Sequence, residues 1–363
     1  MSTPRRFPVA AAAALAAAAA CFAAEAHAAA APVTGSPAPA GSTCGGARTL
    51  LAASTPGAAP VEGHDPGPAP GVSAGKGLRP PSVLRVSHTL GSRASLRPAY
   101  AWPVKPFDRQ HPVRAFLNDP RIGAGGSRAF HFGIDVAAPD GTAVYAVEAG
   151  TVFASRGSLA VKSGPDHVFG YWHVDPAVSD HAFVEQHQLL GHIARGWGHV
   201  HFDERVGAEY VNPLRPGGLG PYVDPVAPTV AEISLVHLRS GAVEILANAY
   251  DTTWPSVAGP WSNEPVAPAL VRWRVLHDGH AGAWRTAVDF RDRMLDKSLF
   301  DTIYAPPTAQ NHEGRAGLYC FYLSHDWKPG DGRYRIEVAA SDTRENQAVA
   351  RLDVTIAKGS VRP

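Results

Sequence analysis

Charge is scarce in this chain. Only 18% of its 363 residues are Asp, Glu, Lys or Arg, and 33 basic against 32 acidic residues leave a net charge of +1. Nucleic-acid binders concentrate basic residues on one face, so the composition points away from that class. Three cysteines are too few for a disulfide-built scaffold or a four-thiolate zinc site. No stretch of the folded region holds a helical period with conviction, which argues against a helical bundle. Beyond the N-terminus, no apolar run reaches the roughly 20 residues that a membrane span needs. What is abundant is Gly (36), Pro (33) and His (17). Gly and Pro punctuate turns and linkers, and His is both the commonest neutral metal ligand and a ready general base.

The first 28 residues read as a secretion signal. Arg5 and Arg6 form a positive start, an Ala-rich apolar run follows, and Ala26-His27-Ala28 is a small-residue cleavage site. An extracytoplasmic protein, secreted or associated with the cell envelope, is the expectation, with no membrane span left after signal removal. Residues 29–98 are rich in Ala, Pro, Gly, Ser and Thr. Such a composition buries too little apolar surface to offset chain entropy, so a flexible linker is predicted. Its short apolar patches at Leu50-Leu51 and Val83-Leu84 are candidate docking strands. Cys44 lies in this linker and Cys320 in a strand-like run; export permits a disulfide between them, and the sequence leaves open whether they meet.

Two folded domains are predicted. Residues 99–223 contain short β-branched runs broken by Gly and Pro, which read as a compact antiparallel β domain with a helical turn near His111–Leu117. In residues 224–358 alternation is strict: Val271, Trp273 and Val275 alternate with Arg272 and Arg274, and Tyr334, Ile336 and Val338 with Arg333, Arg335 and Glu337. One wet and one buried face make an antiparallel β-sandwich. Its closing hairpin resembles that of immunoglobulin-like and fibronectin-like modules.

Eight histidines fall between His131 and His201. His131 and Asp135 are four apart in HFGID, and His199 and His201 two apart in GHVHFDE. Even spacing on a strand sends both side chains to one face. Two such strands side by side would gather three N or O ligands around one ion, and a fourth position left to water is what a catalytic zinc site requires. A lone His-x-His is a weak signal; its context is more specific. HFGIDVAAPDGTAVYAVEAGTV, GYWHV and GHVHFDE occur in that order. Together they resemble the three motifs of lysostaphin-type zinc metallopeptidases, metallopeptidase family twenty-three, whose catalytic domain is a duplicated hybrid motif. The resemblance spans about a third of the chain, from Tyr100 to Leu214.

That resemblance implies one zinc ion on His131, Asp135 and His201, with His173 and His199 as the catalytic histidines. It implies an endopeptidase that hydrolyses peptide stems or cross-bridges of bacterial peptidoglycan with a metal-activated water. Peptidoglycan or a peptide substrate is the expected partner, and a monomer is the expected state. The alternative is a non-catalytic wall-binding or regulatory protein on the same fold; relatives of that kind have lost zinc ligands, whereas all five positions are kept here. Asp203, two beyond His201, is a candidate hydrogen-bond partner for a ligand ring. Phe202 should point into the core. Trp197, in a loop shorter than the family's usual one, is a candidate groove residue. His167, His181, His187 and His192 read as surface or loop residues. Activity is expected to rise with pH through the ordinary histidine range.

Overall fold

A computed structural model describes residues 44–45, 49–54, 84–86, 99–123, 126–358 and 360–362. The secretion signal expected over residues 1–28, and most of the segment 29–98, lie outside the described residues.

The first domain is built on an eight-stranded antiparallel sheet. Its centre is the pair Ile134–Ala137 and His199–Val206, flanked by His167–Trp172 on one side and Val113–Ala115 on the other. Ser158–Lys162, Gly150–Ser155 and Phe183–Val184 extend it outward. A three-stranded sheet of Val174–Pro176, Leu189–Ile193 and Ala143–Tyr145 accompanies it. Alternation decides which side chains are inside. Ile134, Val136, Val200 and Phe202 are fully buried in one core with Phe169 and Tyr171, and the polar residues between them lie on the opposite face. Phe202 thus points into the core as its position predicts. The helical turn expected near His111–Leu117 is instead the short strand Val113–Ala115. Pairing with Ile134–Ala137 satisfies its backbone groups where a single helical turn would leave them open.

The second domain has two antiparallel sheets sharing one core. One carries Thr229–His237, Val243–Thr252, Pro265–Val266 and Cys320–Trp327. The other carries Leu270–His277, Arg285–Asp289, Gly332–Ser341 and Gln347–Ala357. Ile233, Ile245 and Phe321 from the first meet Val271, Ile336 and Val354 from the second. The layering follows the predicted alternation; kinship to immunoglobulin-like modules rests on the sequence resemblance alone.

The segment read as a flexible linker is not wholly one. Thr49–Ser54 pairs antiparallel with Thr229–His237, and Leu84–Val86 with Gln347–Ala357. Each adds a strand to a different sheet of the sandwich, so Leu50-Leu51 and Leu84 lie in paired strands, while Val83 lies outside the described residues. Cys44 is buried and disulfide-bonded to Cys320. The physical reason is long-range: open sheet edges offer unpaired N–H and C=O groups to any short extended segment, which local composition does not reveal.

The domains are packed together. The hairpin Pro120–Ile122 and Arg128–Phe130 leaves the first domain and buries Phe130 in the sandwich core beside Phe290, Phe300 and Tyr304. Asn118 donates from Nδ2 to the Arg293 carbonyl and accepts from the Leu295 N–H, while the Tyr304 hydroxyl donates to the Asn118 carbonyl. Asp119 accepts from the Ala267 N–H.

Candidate metal centre

Sheet register brings the centre together. His201 stands directly opposite Asp135 across the central strand pair, so the two side chains share one face. His131 arrives from the chain just before that strand, fixed by reciprocal backbone bonds between His131 and Asn118 and Asp119. Gly133 separates the two motif residues because nothing larger fits: a Cβ there would lie 2.4 Å from the Phe202 carbonyl oxygen and 2.9 Å from His201 Nε2.

His131 Nε2 and His201 Nδ1 are 2.8 Å apart, and they lie 3.2 and 3.1 Å from Asp135 Oδ1. All three residues are buried. A tetrahedral ion with bonds of about 2.0–2.1 Å separates its ligand atoms by about 3.3 Å. The N, N, O set therefore fits zinc in chemistry and spacing. The tautomers fit too. His131 Nδ1 donates to the Phe116 carbonyl at 2.8 Å, which leaves Nε2 with its lone pair toward the centre.

The other two predicted histidines close the same face. His199 is buried and donates from Nδ1 to the Trp197 carbonyl at 2.7 Å, so its Nε2 is the acceptor, 3.5 Å from Asp135 Oδ1. The Trp197 loop is held in turn by Asp140, whose carboxylate accepts the N–H groups of Gly196, Trp197 and Gly198. His173 follows strand His167–Trp172 with a left-handed backbone (φ 63°). Its ring stacks on Trp197 at 3.5 Å between centroids and lies 4.7 Å from that of His199. The Trp197 ring thus packs against His173 beside the centre.

Burial sets the electrostatics. It is the largest cause of the depressed pKa values of His131 (about 3), His199 (about 4) and His173 (about 2). Arg121 adds to the effect at His131, and His199 adds to it at His173. Burial alone would raise Asp135; the surrounding histidines outweigh it and hold the carboxylate well below its usual range. All of these groups are therefore in the ligand or base form at neutral pH. These three rings therefore do not supply the titration through the ordinary histidine range that the sequence leads one to expect.

Two expectations shift in detail. Asp203 is not bonded to a ligand ring: its Oδ2 accepts from the Trp172 indole N–H at 2.8 Å. Gly170 makes room for this carboxylate, since a Cβ there would sit 2.0 Å from Asp203 Oδ2. His167 is half-buried and lies 2.9 Å from Glu204 Oε1, in a network with Arg215 and Tyr100. His181, His187 and His192 stay outside the centre.

Sequence reasoning missed two arginines. Arg121 Nη2 donates to Asp135 Oδ2 at 3.2 Å, the oxygen turned away from the two ligand histidines. Arg114 donates from Nη2 to His199 Nε2 at 3.4 Å and stacks 4.1 Å over Trp261 of the second domain. Both lie in the lead-in HPVRAFLNDPR, which has no periodic pattern to single them out.

Residues 129–213 match the model of Peptidase family M23. No curated protein matches the chain. Among solved structures, a zinc-containing peptidase from Vibrio cholerae is 26% identical over 31% of this chain and 39% of its own, with a TM-score of 0.28. A peptidase M23 from Pseudomonas aeruginosa is 22% identical over 33% of this chain and 49% of its own (TM-score 0.24). Helicobacter pylori Csd3 is 19% identical over 34% of this chain and 36% of its own (TM-score 0.27). The chain thus spans about half or less of the length of each. The family model covers all three proposed ligands and both further histidines: residues 129–213 are a peptidase family M23 domain.

Proposed function

We propose that this protein is an exported zinc endopeptidase that hydrolyses peptide stems or cross-bridges of bacterial peptidoglycan. One observation carries the reading: three buried N and O donors converge within 3.2 Å, with two further neutral histidines on the same face. A zinc ion held by His131 Nε2, Asp135 Oδ1 and His201 Nδ1 would supply a water of pKa near 7 and polarise the scissile carbonyl.

The chain's own groups do the rest. His199, anchored through Nδ1 on the Trp197 carbonyl, presents Nε2 to accept a proton from the attacking water. His173, held flat against Trp197, would donate a hydrogen bond to the developing oxyanion, and the proton taken up by His199 would pass to the leaving amine. Arg121 keeps Asp135 turned so that Oδ1 faces both ligand rings. Export is supported by the N-terminal signal features and by the Cys44–Cys320 disulfide, a bond that persists in oxidising compartments. The wall substrate is supported by the resemblance to lysostaphin-type peptidases.

The test is digestion of purified peptidoglycan by the mature protein, with His173→Ala as the matched control. Release of new amino groups by the wild type alone supports the reading, and fragment masses name the bond. No release by zinc-loaded wild type, or equal release by both proteins, contradicts it.

A further inference from the structure

A second cluster of ligating groups lies at the junction of the domains. Asp224 is in the connection between them, Asp251 is near the end of strand Val243–Thr252, and Asp342 follows strand Gly332–Ser341. All three are buried (5%, 1% and 3% exposed), and one carboxylate oxygen from each lies within 4.8 Å of the others.

Most of their hydrogen-bonding capacity is accounted for. Asp224 accepts from the Val226 N–H and the Tyr222 hydroxyl. Asp342 accepts from the backbone N–H groups of Arg344 and Asn346 and from Asn346 Nδ2. Asp251 Oδ1 accepts from the Thr252 N–H. Asp251 Oδ2 is different: it is fully buried and has no partner. Asp251 and Asp342 also line a small internal cavity with Leu117, Asn212 and Phe290. No ion pair to a Lys or Arg balances the three acids among the described residues. Arg344, whose charge acts on Asp224 and Asp342, spends its hydrogen bonds on the carbonyls of Tyr222, Leu214 and Thr343.

Three buried carboxyls with no ion pair are costly, and the attraction of Arg344 for Asp224 and Asp342 does not overcome the effect of their burial. We propose that Asp224, Asp251 and Asp342 bind one calcium ion that locks the two domains together. An all-oxygen set with several carboxylates suits a hard cation. Calcium accepts the irregular arrangement that loop residues offer, whereas magnesium demands near-ideal octahedral geometry. Burial raises the pKa values of Asp224 (to about 7) and Asp342 (to about 6), and burial with repulsion from its two partners raises that of Asp251. These are the shifts that a bound divalent cation reverses. Asp224 and Arg344 tie the ion to both domains, because Arg344 reaches back to Leu214 and Tyr222 of the first.

The test uses zinc-loaded, calcium-free full-length protein titrated with CaCl2 and followed by calorimetry and thermal melting. One calcium per chain is expected, with a Kd on the order of 10⁻⁴–10⁻³ M as in extracellular calcium modules and a rise in Tm that NaCl of equal ionic strength does not reproduce. Asp251→Asn should fold, melt no lower than calcium-free wild type, and lose both the binding heat and the calcium-dependent shift. His131→Ala should bind calcium as the wild type does, which separates this site from the zinc centre. No calcium binding by wild type up to roughly 10 mM, tenfold above that range, or undiminished binding by Asp251→Asn, overturns the proposal. In either case the three carboxyls share protons instead.

Discussion

Asp135 does two jobs with its two oxygens. Oδ1 faces His131 and His201, and Oδ2 takes the Arg121 guanidinium. Partners that orient a ligand are worth a large fraction of metal affinity, so Arg121→Ala should weaken zinc binding about 10–100-fold, read by chelator competition, with the fold intact. Unchanged affinity would make Arg121 a charge balance only. The histidines make a second prediction. His199 and His173, with pKa values depressed to about 4 and about 2, stay neutral throughout pH 5–8. Ring signals followed by NMR should therefore show no protonation of either histidine between pH 8 and pH 5; protonation centred near 6.5 would mean that the rings titrate as free imidazole. At this scale the sequence was highly legible. The even spacing of His199 and His201 places both on one face of a single strand as expected, whereas His131 lies before the strand that carries Asp135 and meets it across the bend at Gly133. Arg114 and Arg121 were not legible, because they reach the centre from two three-residue strands, too short to show an alternation.

The strand His199–Val206 carries both chemistry and stability. Its first residues face the centre, and its buried Glu204 takes a two-pronged bond from Arg215 at 2.6 and 2.8 Å, with Tyr100 donating to the same carboxylate. Burial would raise the Glu204 pKa, but the bonds from Arg215, His167 and Tyr100 overcome it and hold it at about 2. A carboxyl depressed in the folded state stabilises above its unfolded pKa and stops doing so as pH falls. Stability should therefore drop between about pH 4.5 and pH 2. Glu204→Gln, which leaves Arg215 uncompensated, should cost about 3–5 kcal/mol at pH 7 and progressively less below pH 4.5, measured by urea unfolding. An equal cost at both pH values would contradict the account. Strands such as this were read correctly because one face is buried and the register is fixed by that face. The helical turn expected near Val113 failed because sheet pairing overrode a short local signal.

At the scale of the described residues as a whole, short pieces of the N-terminal segment are tied to the sandwich, and the sandwich to the M23 domain. Cys44 and Cys320 close a loop of 276 residues. Such a crosslink mainly restricts the unfolded chain, so Cys44→Ser should lower stability by about 2–4 kcal/mol in denaturant titration, with zinc binding retained. The same connectedness explains what the sequence concealed. The two docked strands, the disulfide, the burial of Phe130 in the sandwich and the meeting of Asp224, Asp251 and Asp342 all join residues far apart in the chain. None of them leaves a local periodic mark. Composition could not show that sheet edges elsewhere would hold Thr49–Ser54 and Leu84–Val86.

The central claim is a three-ligand zinc centre with two histidines that face it without holding the ion. Its most direct test is elemental analysis of the metal in purified wild type, His201→Ala, His173→Ala and His199→Ala. The account predicts one zinc per chain in the wild type and in both His173→Ala and His199→Ala, and none in His201→Ala. Loss of zinc from His173→Ala or His199→Ala, or its retention in His201→Ala, would contradict it.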